Sequence, residues 1–228
     1  MSQAEVLDAR REARDEATVF VGVALALLVA LALMSLRGSW ELLGIGGWVW
    51  LILCIPEVSL LVAFSMSPLD GDAHKVRRGV ELLIALVVVG NFANLVLLIA
   101  ALLTEQSADL SAAQLLASGG VVWLTNVIVF GLCYWWYDAG GPVRRAVHGR
   151  DHPDFQFPQD DNEKRAAPGW YPRLEDYVYV ALTNGIAFSP TDAMPLTRMS
   201  KALMALQATI SVAAVLLVTA RAVNVLGA

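Results

Sequence analysis

Apolar residues in this chain come in runs rather than in alternation. Five of the runs are long enough to cross a bilayer, which takes about 20 residues of helix. They cover Thr18–Leu36, Leu42–Met66, Val80–Leu103, Gly119–Tyr137 and Met199–Leu226. A sixth run, Tyr177–Phe188, is only twelve residues long and stops at the polar, proline-broken turn Ser189-Pro190-Thr191-Asp192. Too short to span, it predicts a half-helix that enters the membrane and doubles back into the last spanning helix. Non-helical backbone at membrane depth persists only where protein or a water-filled cavity satisfies its N–H and C=O groups. The pattern therefore predicts a cavity beside the half-helix. The expected fold class is all-α: a polytopic membrane protein of five spanning helices plus one re-entrant half-helix.

The polar stretches divide the chain further. Residues 1–17 carry charges of both signs at helical spacing and read as a solvated helix leading into the membrane. Residues 18–138 form a four-span bundle, 139–175 a hydrophilic linker, and 176–228 the re-entrant loop with the last span. Within the linker, Arg144, Arg145 and Arg150 read as a juxtamembrane anchor to anionic lipid. The acidic middle, Asp151–Glu163, reads as irregular chain. Tyr134-Trp135-Trp136-Tyr137 closes the fourth span as an aromatic belt at the interface.

Composition agrees with a membrane class, at 57% hydrophobic and 16% charged residues. The net charge of −5, with Lys and Arg confined to a few loops, excludes a nucleic-acid face. The implied partner is the lipid bilayer. Cys54 and Cys133 lie inside apolar runs and read as packing residues. His148 and His152 are four apart, but Gly149 and Pro153 argue against a helix that would pair them, so no metal is expected. No H-E-x-x-H or G-x-S-x-G motif occurs and no nucleophile has a histidine at membrane depth. Neither enzyme activity nor a cofactor is expected. The polar segment 1–16 does not read as a cleavable signal.

Charge sets the orientation. With four spans before the half-helix, fourteen of the sixteen Lys and Arg residues fall on one face, and only Arg37 and Arg221 on the other. The positive-inside rule makes the crowded face cytoplasmic. The expectation is a multi-pass protein of the inner cell membrane with a cytoplasmic N-terminus.

A few polar residues interrupt the spans. Glu57 follows Pro56 inside the second run, and an intramembrane carboxyl faces a bundle interior by default. It reads either as a cation or proton site or as a neutral carboxyl bonded to a neighbouring helix. Asn91 and Asn94 share one face of the third span and read as interhelical glue. Asn126 lies in the fourth span and Gln207 in the last. At 1.5 Å per residue, Glu57, Gln207 and Asn184 sit about 12–13 Å from the crowded face, and Asn91 and Asn126 near 18 Å. This places an intramembrane polar cluster, Glu57, Asn91, Asn94, Asn126 and Gln207, near the end of the half-helix.

The stretch Asp176–Leu226 resembles the pore helix, filter and inner helix of tetrameric potassium channels. Asp176, Tyr179, Asp192, Pro195 and Thr197 fall at that family's spacings without a gap. Ala187-Phe188-Ser189-Pro190-Thr191 occupies the filter, with Ser189 and Thr191 in place of glycines. The same stretch is similar to the C-terminal part of an uncharacterised family of bacterial integral membrane proteins, a similarity that implies no activity. The channel resemblance implies a homo-oligomer, a tetramer, passing a monovalent cation. The pore-lining set is then Thr183, Asn184, Ser189, Pro190, Thr191 and Asp192. Asp192 serves either as an acidic ring or as a cap for the turn, and Thr197 as the N-cap of the last span. The channel resemblance also implies a loop entering from outside. The charge count places the entry on the cytoplasmic side, and fourteen residues against two outweigh five scattered matches. Two other functions fit the residues: a proton-coupled small-solute carrier using Glu57, and a membrane scaffold or accessory subunit without flux.

Overall fold

The computed structural model describes residues 3–38, 48–66, 73–103, 111–161, 164, 166–190 and 192–226. The protein is mostly helical. Helix α1 spans Gln3–Gly38, α2 Trp48–Leu53, α3 Ile55–Met66, α4 Ala73–Leu103 and α5 Ala112–Tyr137. After a 3₁₀ turn, Asp138–Gly140, come α6 (Pro142–His148), strand β1 (Phe155–Gln156) and α7 (Pro158–Asp161). Helix α8 (Leu174–Ala187), strand β2 (Met194–Pro195) and α9 (Arg198–Leu226) complete the chain. Four of these helices, α1, α4, α5 and α9, are long and apolar enough to cross a membrane.

The apolar runs become helices with ends the local chemistry explains. Helix α5 starts seven residues before its apolar run because Ser111 and Gln114 form a capping box: Ser111 Oγ accepts the Gln114 N–H and Gln114 Oε1 accepts the Ser111 N–H. Thr197 caps α9, accepting the Ser200 N–H at 3.2 Å, as its residue type predicts. The second apolar run differs from the single span expected of it. It is divided at Cys54 into α2, six residues, and α3, twelve. Pro56 explains the break, since it has no N–H to offer the carbonyl four residues back.

Helix α5 is the centre of the molecule. Every residue from Thr125 to Trp135 is buried, as expected of a helix that is apolar all round. It packs on α9, α8, α1 and α4. Contacts of α5 with α9 run in opposite senses along the two helices: Tyr134 meets Gln207, Asn126 meets Ser211, and Gly119 meets Val218. Gly131 lets α8 come close; a Cβ there would lie 2.7 Å from Val178 Cγ2 and 2.8 Å from its Cα. Gly131→Ala gains about 1 kcal/mol of helix propensity. It nonetheless drives the new methyl into backbone, where overpacking costs about 1–3 kcal/mol. A net loss of up to ~2 kcal/mol is expected, read by a thiol-reactive dye reporting exposure of the buried Cys54 and Cys133 on heating. Wild-type stability in that variant would show that α8 can slide off α5 at no cost.

Hydrogen bonds place the ends. Glu12 accepts from Tyr171 Oη at 2.5 Å, Glu16 accepts the Leu174 N–H at 3.0 Å, and Arg77 Nη1 donates to the Gly140 carbonyl at 2.8 Å. The N-terminal parts of α1, α4 and α8 thus meet at the end where α5 finishes. The described residues of 138–173 fold over that end as a head, and the acidic stretch that the sequence suggested was irregular carries β1 and α7. β1 and β2 pair antiparallel, Phe155 opposite Pro195. Phe155 and Phe157 are buried against Tyr134, Tyr177 and Trp170.

Candidate functional site

Helix α8 fixes the geometry of the C-terminal unit. Asp176 Oδ2 accepts the Arg173 N–H at 2.8 Å and starts the helix. Phe188 ends it in a left-handed conformation, φ 55°, its N–H bonded to the Asn184 carbonyl at 3.0 Å. Such a conformation costs a residue with a Cβ about 1–2 kcal/mol, and Pro190 two residues later prevents the helix from resuming. Contacts between α8 and α9 advance together along both helices. Gln207 Nε2 donates to the Ala181 carbonyl at 2.7 Å, Asn184 Nδ2 donates to Gln207 Oε1 at 2.9 Å, and a Cβ on Gly185 would lie 3.3 Å from Ser211 Oγ. The two helices therefore run side by side in the same direction. The segment joining them returns to the head, where Thr197 Oγ1 donates to Asp154 Oδ1 at 2.7 Å and the Leu196 N–H to the Asp154 carbonyl at 2.8 Å.

Amides tie four helices together inside the apolar body. Asn91 Nδ2 on α4 donates to Asn126 Oδ1 on α5 at 3.0 Å, and Asn126 Nδ2 donates to Ser211 Oγ on α9 at 3.2 Å. One turn nearer the head, Tyr134 Oη donates to Gln207 Oε1 at 2.5 Å, and Asn184 Nδ2 is shared between Gln207 Oε1 and the Met204 carbonyl at 3.0 Å. Asn91, Asn126, Asn184 and Gln207 are thus brought into bonded pairs at two adjacent levels. Glu57 is buried but makes no hydrogen bond to them; neither carboxyl oxygen has a partner among the described residues. The side chain of Asn94 lies outside the described residues.

Of the residues expected to line a pore, Ser189, Pro190 and Asp192 are exposed on the returning segment. Thr183 is half-buried and bonds its own helix at the Val180 carbonyl. Asn184 is buried in the α8–α9 seam. Thr191 lies outside the described residues. Burial pushes the Asp176 carboxyl up, the Arg173 N–H opposes this, and the charges of Glu175 and then Asp192 add to the rise.

The head holds a buried ionic cluster that the sequence did not reveal. Asp138, fully buried, accepts on Oδ1 from the N–H groups of Asp154 and Phe155, at 2.7 and 3.0 Å. On Oδ2 it accepts from Tyr177 Oη and from Arg150 Nη2, the latter at 3.0 Å. Arg150 Nη1 reaches both oxygens of Asp160 at 2.6 Å. Arg145, 2% exposed, donates through Nη1 to the carbonyls of Trp135 and Asp138 and lies over the Tyr177 ring. Burial lowers the Arg145 pKa. Burial also opposes the charge of Arg150, but Asp138, Tyr177 and Asp160 outweigh it and raise that pKa. Nearby, burial and then the bond to Glu12 push the Tyr171 hydroxyl up to about 12.

These contacts correct two expectations. Arg145 and Arg150 are committed to carboxylate and carbonyl oxygens within the head and do not face lipid headgroups. Tyr134 is buried against Phe155 and Gln207, and Trp135 is buried beside α1 and α6, so the run reaches the surface at its end, with Trp136 half-buried and Tyr137 exposed. The available signal was local: Asp138 directly precedes Ala139-Gly140-Gly141-Pro142, a turn with φ of 105° at Gly141, so its carboxyl is folded back against the chain that follows. No group of three or more His, Cys, Asp and Glu residues among the described residues is arranged to hold a metal.

Comparison with family models, curated proteins and solved structures gives no match. The functional reading therefore rests on geometry.

Proposed function

We propose that this chain is a channel-like membrane protein in which α8, the returning segment and α9 form the wall of a cation pore. The observation that carries the reading is the parallel course of α8 and α9. A helix of 14 residues reaches about 21 Å, short of a ~30 Å hydrocarbon core, so it enters and does not cross. The segment 188–197 then returns, and with α2 and α3 taken as one broken crossing the chain has five spans plus a re-entrant half-helix.

In this reading Ser189, Pro190, Thr191 and Asp192 face the conduit, with Thr183 behind them. Asn184 and Gln207 hold the wall together. A homo-oligomer encloses the path, four copies as the potassium-channel resemblance implies, and the exposed Tyr179, Ile186 and Phe188 meet neighbouring copies. The gathering of basic residues at the head end supports a cytoplasmic head and N-terminus. Asp192 supplies an acidic ring that favours monovalent cations.

Flux from proteoliposomes tests this. Wild type is expected to release a monovalent cation well above empty vesicles, and Asp192→Asn to lower cation-over-anion selectivity several-fold. Leak equal to empty vesicles in both proteins would remove the pore. A second reading, a scaffold without flux, draws on the fact that Asn126, Asn184 and Gln207 already bond within one chain. It predicts silence in the same assay.

A further inference from the structure

Where α3 crosses α4, buried acceptors stand without donors among the described residues. A Cβ on Gly90 would lie 3.5 Å from Pro56 Cγ, so the two helices approach each other at these residues. Glu57 and Asn91 are the next residues along. Oε1 and Oε2 of Glu57 and Oδ1 of Asn91 are buried without a hydrogen-bond partner among the described residues, and Glu57 is 1% exposed. Pro56 removes one N–H from the same level, depriving the Ile52 carbonyl of its helical donor. The Cys54 N–H is already used on the Leu51 carbonyl, at 3.2 Å.

Whatever quiets these oxygens has to bring a donor or a positive charge. Among the described residues none is bonded to them. No charged side chain occurs in 17–36 of α1, in 48–53 of α2 or in 82–103 of α4, the helices packed against α3. Hard metal cations take about six or more oxygen ligands, more than this aliphatic crossing offers. A proton needs only one. An unpaired carboxylate in apolar surroundings is far costlier than a neutral carboxyl, which can also donate.

We infer that Glu57 is a proton-binding site, its carboxyl carried in the O–H form at the α3–α4 crossing and donating to an otherwise unpartnered acceptor. The site goes beyond the pore reading. It stands on elements other than α8 and α9, and it holds whether or not ions pass there.

Two measurements on the full-length protein in nanodiscs at neutral pH test it. The infrared difference between wild type and Glu57→Gln is expected to show the C=O stretch of a protonated carboxyl, lost in the variant. Dicyclohexylcarbodiimide is expected to mark the same residue. The carboxyl adds across one C=N bond, its oxygen bonding to carbon and its proton passing to nitrogen, and an O-to-N acyl shift leaves a stable N-acylurea. The peptide containing Glu57 then gains one reagent mass, and Glu57→Gln loses the adduct. Glutamine has nearly the shape of the neutral acid, and the buried-thiol assay verifies that the variant folds. A difference spectrum showing carboxylate stretches instead would overturn the inference even if labelling fails for want of access. Protection by sodium together with that carboxylate spectrum would replace the proton with a metal cation.

Discussion

Asp138→Asn is expected to destabilise the protein by ~3 kcal/mol, the largest effect of any single isosteric change in the head. The asparagine oxygen can keep the two backbone N–H groups of Asp154 and Phe155. Its NH₂ group then faces Arg150 Nη2, a donor against a donor, in a place closed to water. Removing one partner of a buried ion pair costs about 3–5 kcal/mol, because the other charge is left buried and uncompensated. The lower end applies here, since Arg150 keeps Asp160. Asp160→Asn is the control. Asp160 is partly exposed, and a pair open to water contributes about 1 kcal/mol or less. Thermal unfolding followed through Cys54 and Cys133 reads both variants. Asp138→Asn within ~0.5 kcal/mol of wild type would mean that the cluster does not hold the head to the bundle.

The second large effect is expected inside the bundle. Gln207→Leu keeps the volume but removes the node that joins α5, α8 and α9. The Tyr134 hydroxyl is left without its acceptor, whereas Asn184 keeps the Met204 carbonyl. Hydrogen bonds between membrane helices contribute about 0.6 kcal/mol on average, but an orphaned buried donor costs ~1–3 kcal/mol. A loss of ~2 kcal/mol follows, most of it from the orphan. Tyr134→Phe removes that orphan, so the double variant is expected to be more stable than Gln207→Leu alone by ~1 kcal/mol. Simple additivity of the two losses would show that the tyrosine finds another partner. If α8 and α9 wall a pore, Gln207→Leu also disturbs cation flux, because the seam that seats α8 is loosened.

Level along the helix bundle was legible in the sequence. Counting residues from the ends of apolar runs placed Asn91 level with Asn126 and Asn184 level with Gln207, and these are the pairs that bond. The shortness of the run before Pro190 was likewise visible, as was the N-cap at Thr197. Rotation about each helix axis was not. Glu57 lies at a depth close to Gln207 by count, yet it is not bonded to Gln207 or Asn184, because α3 packs on α1 and α4 and not on the α8–α9 seam. Side chains at equal depth meet only when their helices are neighbours and face each other.

The chain's one-dimensional pattern determined that it is mostly helical, with apolar runs of membrane-spanning length, four of which are single helices long enough to cross. Hydrophobic length and charge act on each segment separately, so they can be read from order alone. Only the tertiary structure decided that the described residues of 138–173 pack as a head, that Arg145 and Arg150 turn inward to Asp138, and that Glu57 has no partner among the described residues. Those outcomes depend on which surfaces of distant segments close over one another. A carboxylate beside an arginine is bound or bare according to what excludes water from it, and that is a property of the assembled fold.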